Sequence, residues 1–375
     1  MKKMKSRIIA FAMALVCLLG VAGCGKSSDN SDSGKTSEKS SDKKGSSGGA
    51  EEVVEYSMGS SRNGARVMVF TNKGNAYYIG KGSTGSTKGE ADVDKPTKFL
   101  ENVKHLISSH TWIDNNDDLY IDGVDGINGG THKEPQKLGG NIVNSTKYAL
   151  GVIAVDKDGN LYAYGKEKSN GFDKKYKELT KIDDLKDVTK VGSSISNVFF
   201  QALTKDGTVY QKKSDGKFEK VIDNAKDIIG GHYIITKDDE VYFSGNELTK
   251  VGKSLKVCEG GDPRNTVFVE NNTIARISWD GEPLSGDKID KLQKYYPTDI
   301  KEVIYHDIYE DKKVSYKYYL TMVYENTNGE IVLLRVDNCY DHQGEGKKTT
   351  DKVSKSVDDI TKIWNFIKEG QENRL

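Results

Sequence analysis

The 375-residue chain predicts an all-β fold, a seven-bladed β-propeller, and three observations predict it. A hairpin signature recurs along most of the sequence. It returns about every forty residues, the length of one four-stranded blade. No apolar stretch of helical period rivals it, and twenty tyrosines and 39 glycines against five prolines suit many short strands joined by tight turns.

The signature is an apolar strand, an Asp/Asn/Gly turn, a hydrophobic residue and a tyrosine, with a glycine closing the fuller copies. Copies run over 67–80, 112–123, 152–165, 202–210 and 233–245, and weaker ones over 267–275 and 322–332. The tyrosine position is Tyr77, Tyr120, Tyr162, Tyr210 and Tyr242, then Ala275 and Val332. Asp-Gly and Asn-Gly take the positive φ angles that short hairpin loops require. The flanking β-branched and aromatic residues fit a pleated, half-buried surface. Each tyrosine is expected at the base of its hairpin, buried in the blade, with its hydroxyl reaching a partner.

Between hairpins a second pattern recurs, over 99–106, 179–192, 218–231 and 248–261, and predicts the other two strands of each blade. The tyrosine intervals of 32 and 33 residues late in the chain leave little room for four strands. Residues 53–59 read as the end of a connecting pattern and 357–364 as its start, so the two ends are expected to share a blade and close the ring. A helix is the alternative for the C-terminal segment, because Val357, Ile360, Ile363, Trp364 and Ile367 also form a helical stripe.

Residues 1–23 are similar to a bacterial lipoprotein signal peptide. Lys2, Lys3, Lys5 and Arg7 make a basic start, 8–19 is a short apolar run, and Val21-Ala22-Gly23-Cys24 resembles a lipobox. The resemblance implies cleavage before Cys24 and lipidation of its thiol. Residues 24–50 are rich in Ser, Gly, Lys and Asp, cannot bury enough apolar surface to order themselves, and read as a flexible tether. The folded domain is expected over 51–375.

The repeat resembles that of the regulator-of-chromosome-condensation type of seven-bladed propeller. Ser109-His110-Thr111-Trp112 and Gly231-His232-Tyr233 match its histidine step. Residues 158–165, ending Leu161-Tyr162-Ala163-Tyr164-Gly165, match its final step with tyrosine for tryptophan. The resemblance is diverged. A generic propeller of short Asp-Gly-x-hydrophobic-Tyr repeats, as in exported Gram-positive proteins, is the alternative, and both imply a propeller.

Little in the sequence points to chemistry. Without residues 1–23 the chain carries 52 basic and 56 acidic residues, about −4 net, and no basic patch suggests nucleic acid. Cys258 and Cys339 either pair or stay as buried thiols, and no C-x-x-C suggests zinc. Asp114, Asn116 and Asp118 have the one-three-five spacing of a calcium loop, but Leu119 and Asp125 stand where that loop needs glycine and glutamate, so hairpin turns are expected. His110 and His232 sit at equivalent repeat positions and are expected to make structural hydrogen bonds. The glycine-rich run 80–89 lacks the order of a phosphate loop and reads as a surface loop. An insertion at 286–297, with Ile289, Leu292, Tyr295 and Tyr296, suggests a short helix that either serves a partner or caps blade edges.

These features imply a monomeric, lipid-anchored, extracytoplasmic protein that binds another protein without catalysis, metal or cofactor. The alternatives are a surface lipoprotein that captures carbohydrate or peptide and, third, an extracellular hydrolase or lyase. No binding residue is singled out by the sequence.

Overall fold

The structure is a computed structural model. It describes residues 49–372 except 62–63, 83–87, 89–90, 109, 125–130, 149–150, 166–173, 183–184, 195–198, 213–216, 246, 260–264, 280–281, 284–290, 311–317 and 340–345. Cys24 lies outside the described residues.

Among the described residues twenty-eight strands form seven four-stranded antiparallel sheets, each built from four consecutive strands. Blade 1 is β1 (Val53–Ser61), β2 (Gly64–Thr71), β3 (Ala76–Gly80) and β4 (Val93–Leu100). Blade 2 is β5 (Val103–Ser108), β6 (Thr111–Asp114), β7 (Leu119–Val124) and β8 (Thr131–Gly139). Blade 3 is β9 (Ile142–Tyr148), β10 (Gly151–Asp156), β11 (Leu161–Gly165) and β12 (Tyr176–Ile182). Blade 4 is β13 (Val188–Ser194), β14 (Phe199–Thr204), β15 (Val209–Lys212) and β16 (Phe218–Ile222). Blade 5 is β17 (Ala225–Ile229), β18 (Tyr233–Thr236), β19 (Glu240–Ser244) and β20 (Leu248–Lys253). Blade 6 is β21 (Lys256–Glu259), β22 (Asn265–Glu270), β23 (Thr273–Trp279) and β24 (Glu282–Pro283). Blade 7 is β25 (Ile300–Glu310), β26 (Tyr318–Asn326), β27 (Ile331–Asp337) and β28 (Lys347–Val353).

All seven tyrosine-equivalent positions fall on the third strand of a blade. The cramped blades keep four strands by shortening them, down to four residues in β18 and β21 and two in β24. The tyrosines themselves are half-buried rather than buried. Their hydroxyls do find partners in three blades: Tyr162 donates to Asp156 Oδ2 at 3.0 Å, Tyr242 to Glu240 Oε2 at 2.9 Å and Tyr77 to Glu51 Oε2 at 3.3 Å.

The core is divided among the seams. Seven apolar clusters occupy the seven interfaces between neighbouring blades. Alternation along each strand sends one set of side chains to the preceding blade and the other to the following one. Val191 on β13, for example, joins the cluster shared with blade 3, while Leu203 on β14 joins that shared with blade 5. Fully burying one such aliphatic side chain stabilises by roughly 1.5–3 kcal/mol.

Backbone hydrogen bonds repeat the same geometry. The first strand of one blade donates to the hairpin of the blade before: Val103 N to Gly74 O at 2.9 Å, Ile142 to Asp117 at 2.9 Å, Val188 to Gly159 at 3.0 Å, Ala225 to Gly207 at 2.8 Å and Ile300 to Asn272 at 2.8 Å. Positive φ occurs immediately ahead of the first strand at Asn102, Asn141, Asp187 and Asn224, and two places ahead of it at Ser254. Asparagine and aspartate tolerate that conformation best among non-glycine residues.

The ring is not closed by a shared strand. Residues Ile360–Glu372 form a helix, α1, and β28 ends blade 7 with no strand from elsewhere. The turn leading into the helix is capped by side chains: Asp359 N donates to Ser356 Oγ at 3.3 Å and the Asp359 carboxylate accepts from Ser354 N at 2.8 Å. Ile360, Ile363 and Ile367 are wholly buried in the cluster between blades 7 and 1. Trp364 covers Gly80 so closely that a Cβ there would meet Trp364 Nε1 at 2.5 Å and Ala65 O at 2.1 Å. On the other side Arg335 of β27 donates to the Phe366 carbonyl and pairs with Glu369 at 3.1 Å. Val53 N, at the start of β1, donates to Lys355 O at 2.8 Å. The helical stripe wins over the strand because it fills this last seam from both sides.

The described part of the 286–297 insertion, residues 291–297, packs as a cap on the core. A short helical turn at 291–293 precedes Tyr295 and Tyr296, and Leu292, Tyr295 and Tyr296 are all buried in the cluster between blades 6 and 7. Tyr295 Oη accepts from Gly346 N at 2.7 Å, and Tyr296 Oη lies 3.1 Å from His306 Nε2. Ile289 lies outside the described residues. Cys258 and Cys339 belong to the same cluster, form no disulfide and are buried, and burial pushes the Cys339 thiol up to about 12.

Candidate functional site

The up-and-down blades give the ring two unlike faces. One face carries the β2–β3 type of hairpin, with two to four connecting residues in every blade. Those turns satisfy themselves. Asp114 Oδ1 accepts from Asn116 N at 2.8 Å and Asp118 N at 3.0 Å. Asp156 accepts from Asp158 N at 3.0 Å and from Asn160 N and Nδ2, each at 2.8 Å. Asn326 accepts from Asn328 N at 3.0 Å and Glu330 N at 2.9 Å. The calcium-like spacing at Asp114 is therefore a turn whose carboxylate is engaged by its own backbone. Among the described residues no group of three or more His, Cys, Asp or Glu is placed to hold a metal ion.

The opposite face carries the connections between first and second and between third and fourth strands. The latter run from two residues, after β23, to twelve, after β3. The glycine-rich run 80–89 is part of the longest, and 83–87, 89 and 90 lie outside the described residues. Variable loops on a fixed scaffold are where recognition is usually carried.

First strands of neighbouring blades adjoin and form the inner wall of the ring. In six blades one residue near the start of this strand bulges out of the pairing, between Val53 and Glu55 in blade 1 and between Val188 and Lys190 in blade 4. The bulge aims the next residue along the wall. The register makes Glu55, His105, Asn144, Lys190, Asp227, Lys256 and Glu302 equivalent, for each pairs with the residue just ahead of its hairpin turn (Glu55 with Phe70, Lys190 with Leu203, Lys256 with Val269). All seven are polar and half-buried.

This axial ring is linked blade to blade. Lys190 pairs with Asp227 at 2.6 Å, Lys256 approaches Glu302 at 3.5 Å, and Asn144 Oδ1 accepts from Val191 N at 2.8 Å. The charge of Glu302 on blade 7 acts on Glu55 of blade 1 across the closing seam. Burial, and then the charge of Glu302, push the Glu55 carboxyl up to about 8. Burial holds His105 below its ordinary value, helped by Lys104.

The repeat histidines lie under the loop face. The His110 carbonyl accepts from Asp122 N at 2.8 Å and the His232 carbonyl from Ser244 N at 2.6 Å, the same bond in blades 2 and 5. His110 Nδ1 also lies 3.3 Å from Asp122 O, and the His232 ring stacks on Phe243. Burial lowers both imidazoles to about 4, assisted at His110 by Lys147. They are neutral, structural groups at ordinary pH.

The sequence did not single out the ring. Its signal is present as a polar residue two places after the first buried aliphatic of each connecting strand, as in Val53-Val54-Glu55 and Ile300-Lys301-Glu302. Mixed residue types and the missing bulge in blade 6 conceal it.

No protein-family model matches the chain, and no curated protein matches it. Solved structures give distant likenesses. Prp20p from Saccharomyces cerevisiae, described with its binding to Gsp1p and histones, aligns at 17% identity and a TM-score of 0.45 over 59% of this chain and 70% of that one. Human WBSCR16 aligns at 13% identity and 0.39, covering 52% of this chain, which spans only 62% of that protein. PorZ of Porphyromonas gingivalis, a bacterial surface component of the type-IX secretion system, aligns at 12% identity and 0.39 over 81% of this chain and 39% of that one. The propeller architecture rests on the seven sheets themselves.

Proposed function

We propose that the chain is a membrane-anchored, extracytoplasmic lipoprotein whose propeller is a non-catalytic protein-binding module, presenting its loop face to a macromolecular partner. One observation carries the reading: the chain enters β1 at the tight-turn face, the face opposite the variable loops. A tether running from a lipidated Cys24 then leaves from the regular face and points the loop face away from the membrane. Leu248, at the start of β20 on the loop face, is an exposed large hydrophobic residue among those described.

Two measurements test the proposal. In a lipidating bacterial host, Cys24→Ala is expected to move the protein out of the membrane fraction or leave it unprocessed; a processed, membrane-bound variant refutes the anchor. Lysine cross-linking of the surface complex, read by mass spectrometry, is expected to join the partner to Lys81 and Lys88 on the loop face. Cross-links confined to Lys73, Lys157, Lys205 and Lys237 on the tight-turn face refute the orientation.

A further inference from the structure

Six of the seven seams are crossed by the chain itself, which runs from the fourth strand of one blade into the first strand of the next. The seventh joins the two ends of the propeller, blades 7 and 1, and no connecting peptide crosses it. In five of the other seams the first strand donates to the hairpin of the blade before. Here Val53 N donates instead to Lys355 O, beyond β28, at 2.8 Å. Closure rests on side chains, above all Ile360, Ile363 and Ile367 of α1 in one cluster with Val67 and Val69 of β2.

The axial ring sets two like charges at this same seam. One step around the ring brings side chains together elsewhere. Lys190 of blade 4 pairs with Asp227 of blade 5 at 2.6 Å, and Lys256 of blade 6 reaches Glu302 of blade 7 at 3.5 Å. The next step, from Glu302 to Glu55, sets two carboxylates at matching register on adjoining strands. The groups around Glu55 do not offset them. Phe70, opposite it on β2, is uncharged, and His105, next in the ring on β5, is held below its ordinary value by burial. Lys256 stands on the far side of Glu302 and also donates to Lys301 O at 2.7 Å. Lys301 and Lys355 are both engaged by Glu325 of β26, at 2.6 and 3.1 Å. Glu325, and Asp359 ahead of α1, act on the neighbouring Tyr56, and both are acidic.

We infer that the seam between blades 7 and 1 is a pH-sensitive latch of the ring, closed while Glu55 is protonated and released as Glu55 ionises beside Glu302. Water hydrates the carboxylate in an open seam and is kept from it in a closed one. The closed seam raises the Glu55 carboxyl to about 8 from 4.5, so closure holds a proton that opening releases. Opening is then favoured as pH rises between those values, by up to about tenfold per pH unit. It is a local event, because the chain still joins the other six seams. It uncovers the apolar lining of this seam, Val67, Val69 and Ile363 among it. The latch belongs to the ring and stands whether or not the chain is lipid-anchored.

Hydrogen exchange of the full folded chain, read by mass spectrometry between about pH 6 and pH 8 and corrected for intrinsic exchange rates, tests the latch. Residues 53–61 and 360–372 are expected to exchange together and well before the strands of blade 4. Their opening constant is expected to rise by up to about tenfold per pH unit in the wild type. In Glu55→Gln that rise is expected to vanish. Exchange of the seam in step with blade 4 at every pH means whole-chain unfolding alone and overturns the latch. A rise that persists in folded Glu55→Gln overturns it too. If Glu55→Gln does not fold, the wild-type profiles decide, since a seam whose opening ignores pH also overturns the latch.

Discussion

Trp364 and Ala65, 299 residues apart, are joined by a hydrogen bond of 3.1 Å from the indole Nε1 to the backbone carbonyl. The same carbonyl accepts from Lys81 N at 3.0 Å, so one atom of blade 1 holds both its own sheet and the last helix. Trp364→Ala is expected to cost about 2–4 kcal/mol, at or below the usual range for truncating a buried aromatic because Trp364 is half-buried. Urea unfolding monitored by far-ultraviolet circular dichroism measures it, and an unchanged midpoint would show that the helix is not part of the closure.

Glu55 carries a pH signature. Its carboxyl titrates near 4.5 when unfolded and near 8 when folded. Between those values the folded state holds a proton that the unfolded state has released, so this group's contribution to stability declines as pH rises from 4.5 to 8. Glu55→Gln is expected to raise the melting temperature at pH 8 and leave it little changed at pH 4.5. An equal effect at both values would mean that the carboxylate is not strained by the wall or by Glu302.

His232 behaves in the opposite sense. Its imidazole titrates near 6.5 unfolded and near 4 folded, so the unfolded state binds the extra proton as pH falls through that window. Stability is expected to fall on acidification by up to about 1.4 kcal/mol per pH unit from this buried group. His232→Phe should flatten that limb of the stability profile between pH 6.5 and 4, compared with wild type under the same conditions. An unchanged slope would assign the acid sensitivity elsewhere.

Asp156 organises the hairpin of blade 3 through four accepted hydrogen bonds, from Asp158 N, Asn160 N, Asn160 Nδ2 and Tyr162 Oη. Asp156→Ala is expected to cost about 1–3 kcal/mol. Asp156→Asn keeps a carbonyl oxygen at the turn and should cost less. Guanidinium titrations of the two variants rank them, and equal losses would mean that charge rather than turn geometry matters.

What could be read from the sequence follows from what repeats. Seven turn signatures locate the third strand of every blade because Asp-Gly chemistry and the residue after it are local. Closure was ambiguous because Val357, Ile360 and Ile363 fit either an alternating or a helical pattern until Val67, Val69 and Leu333 surround them. The 286–297 segment reads as available to a partner because nothing local says that Leu292, Tyr295 and Tyr296 join the cluster between blades 6 and 7. The axial ring needed the one-residue bulge that the register of the first strands shows.

The placement of β1 also has a mechanical consequence. A pull on the chain at its N-terminal side reaches the domain at Ala50 and Glu51, which are bonded to Asn72 and Thr71, and then runs along β1, which pairs with β2 as far as Ser61. If the opposing load is held at the loop face, those bonds are sheared together instead of being opened one at a time. Single-molecule pulling is expected to show higher rupture force between residue 53 and the loop face than between residue 53 and α1, whose seam peels sideways.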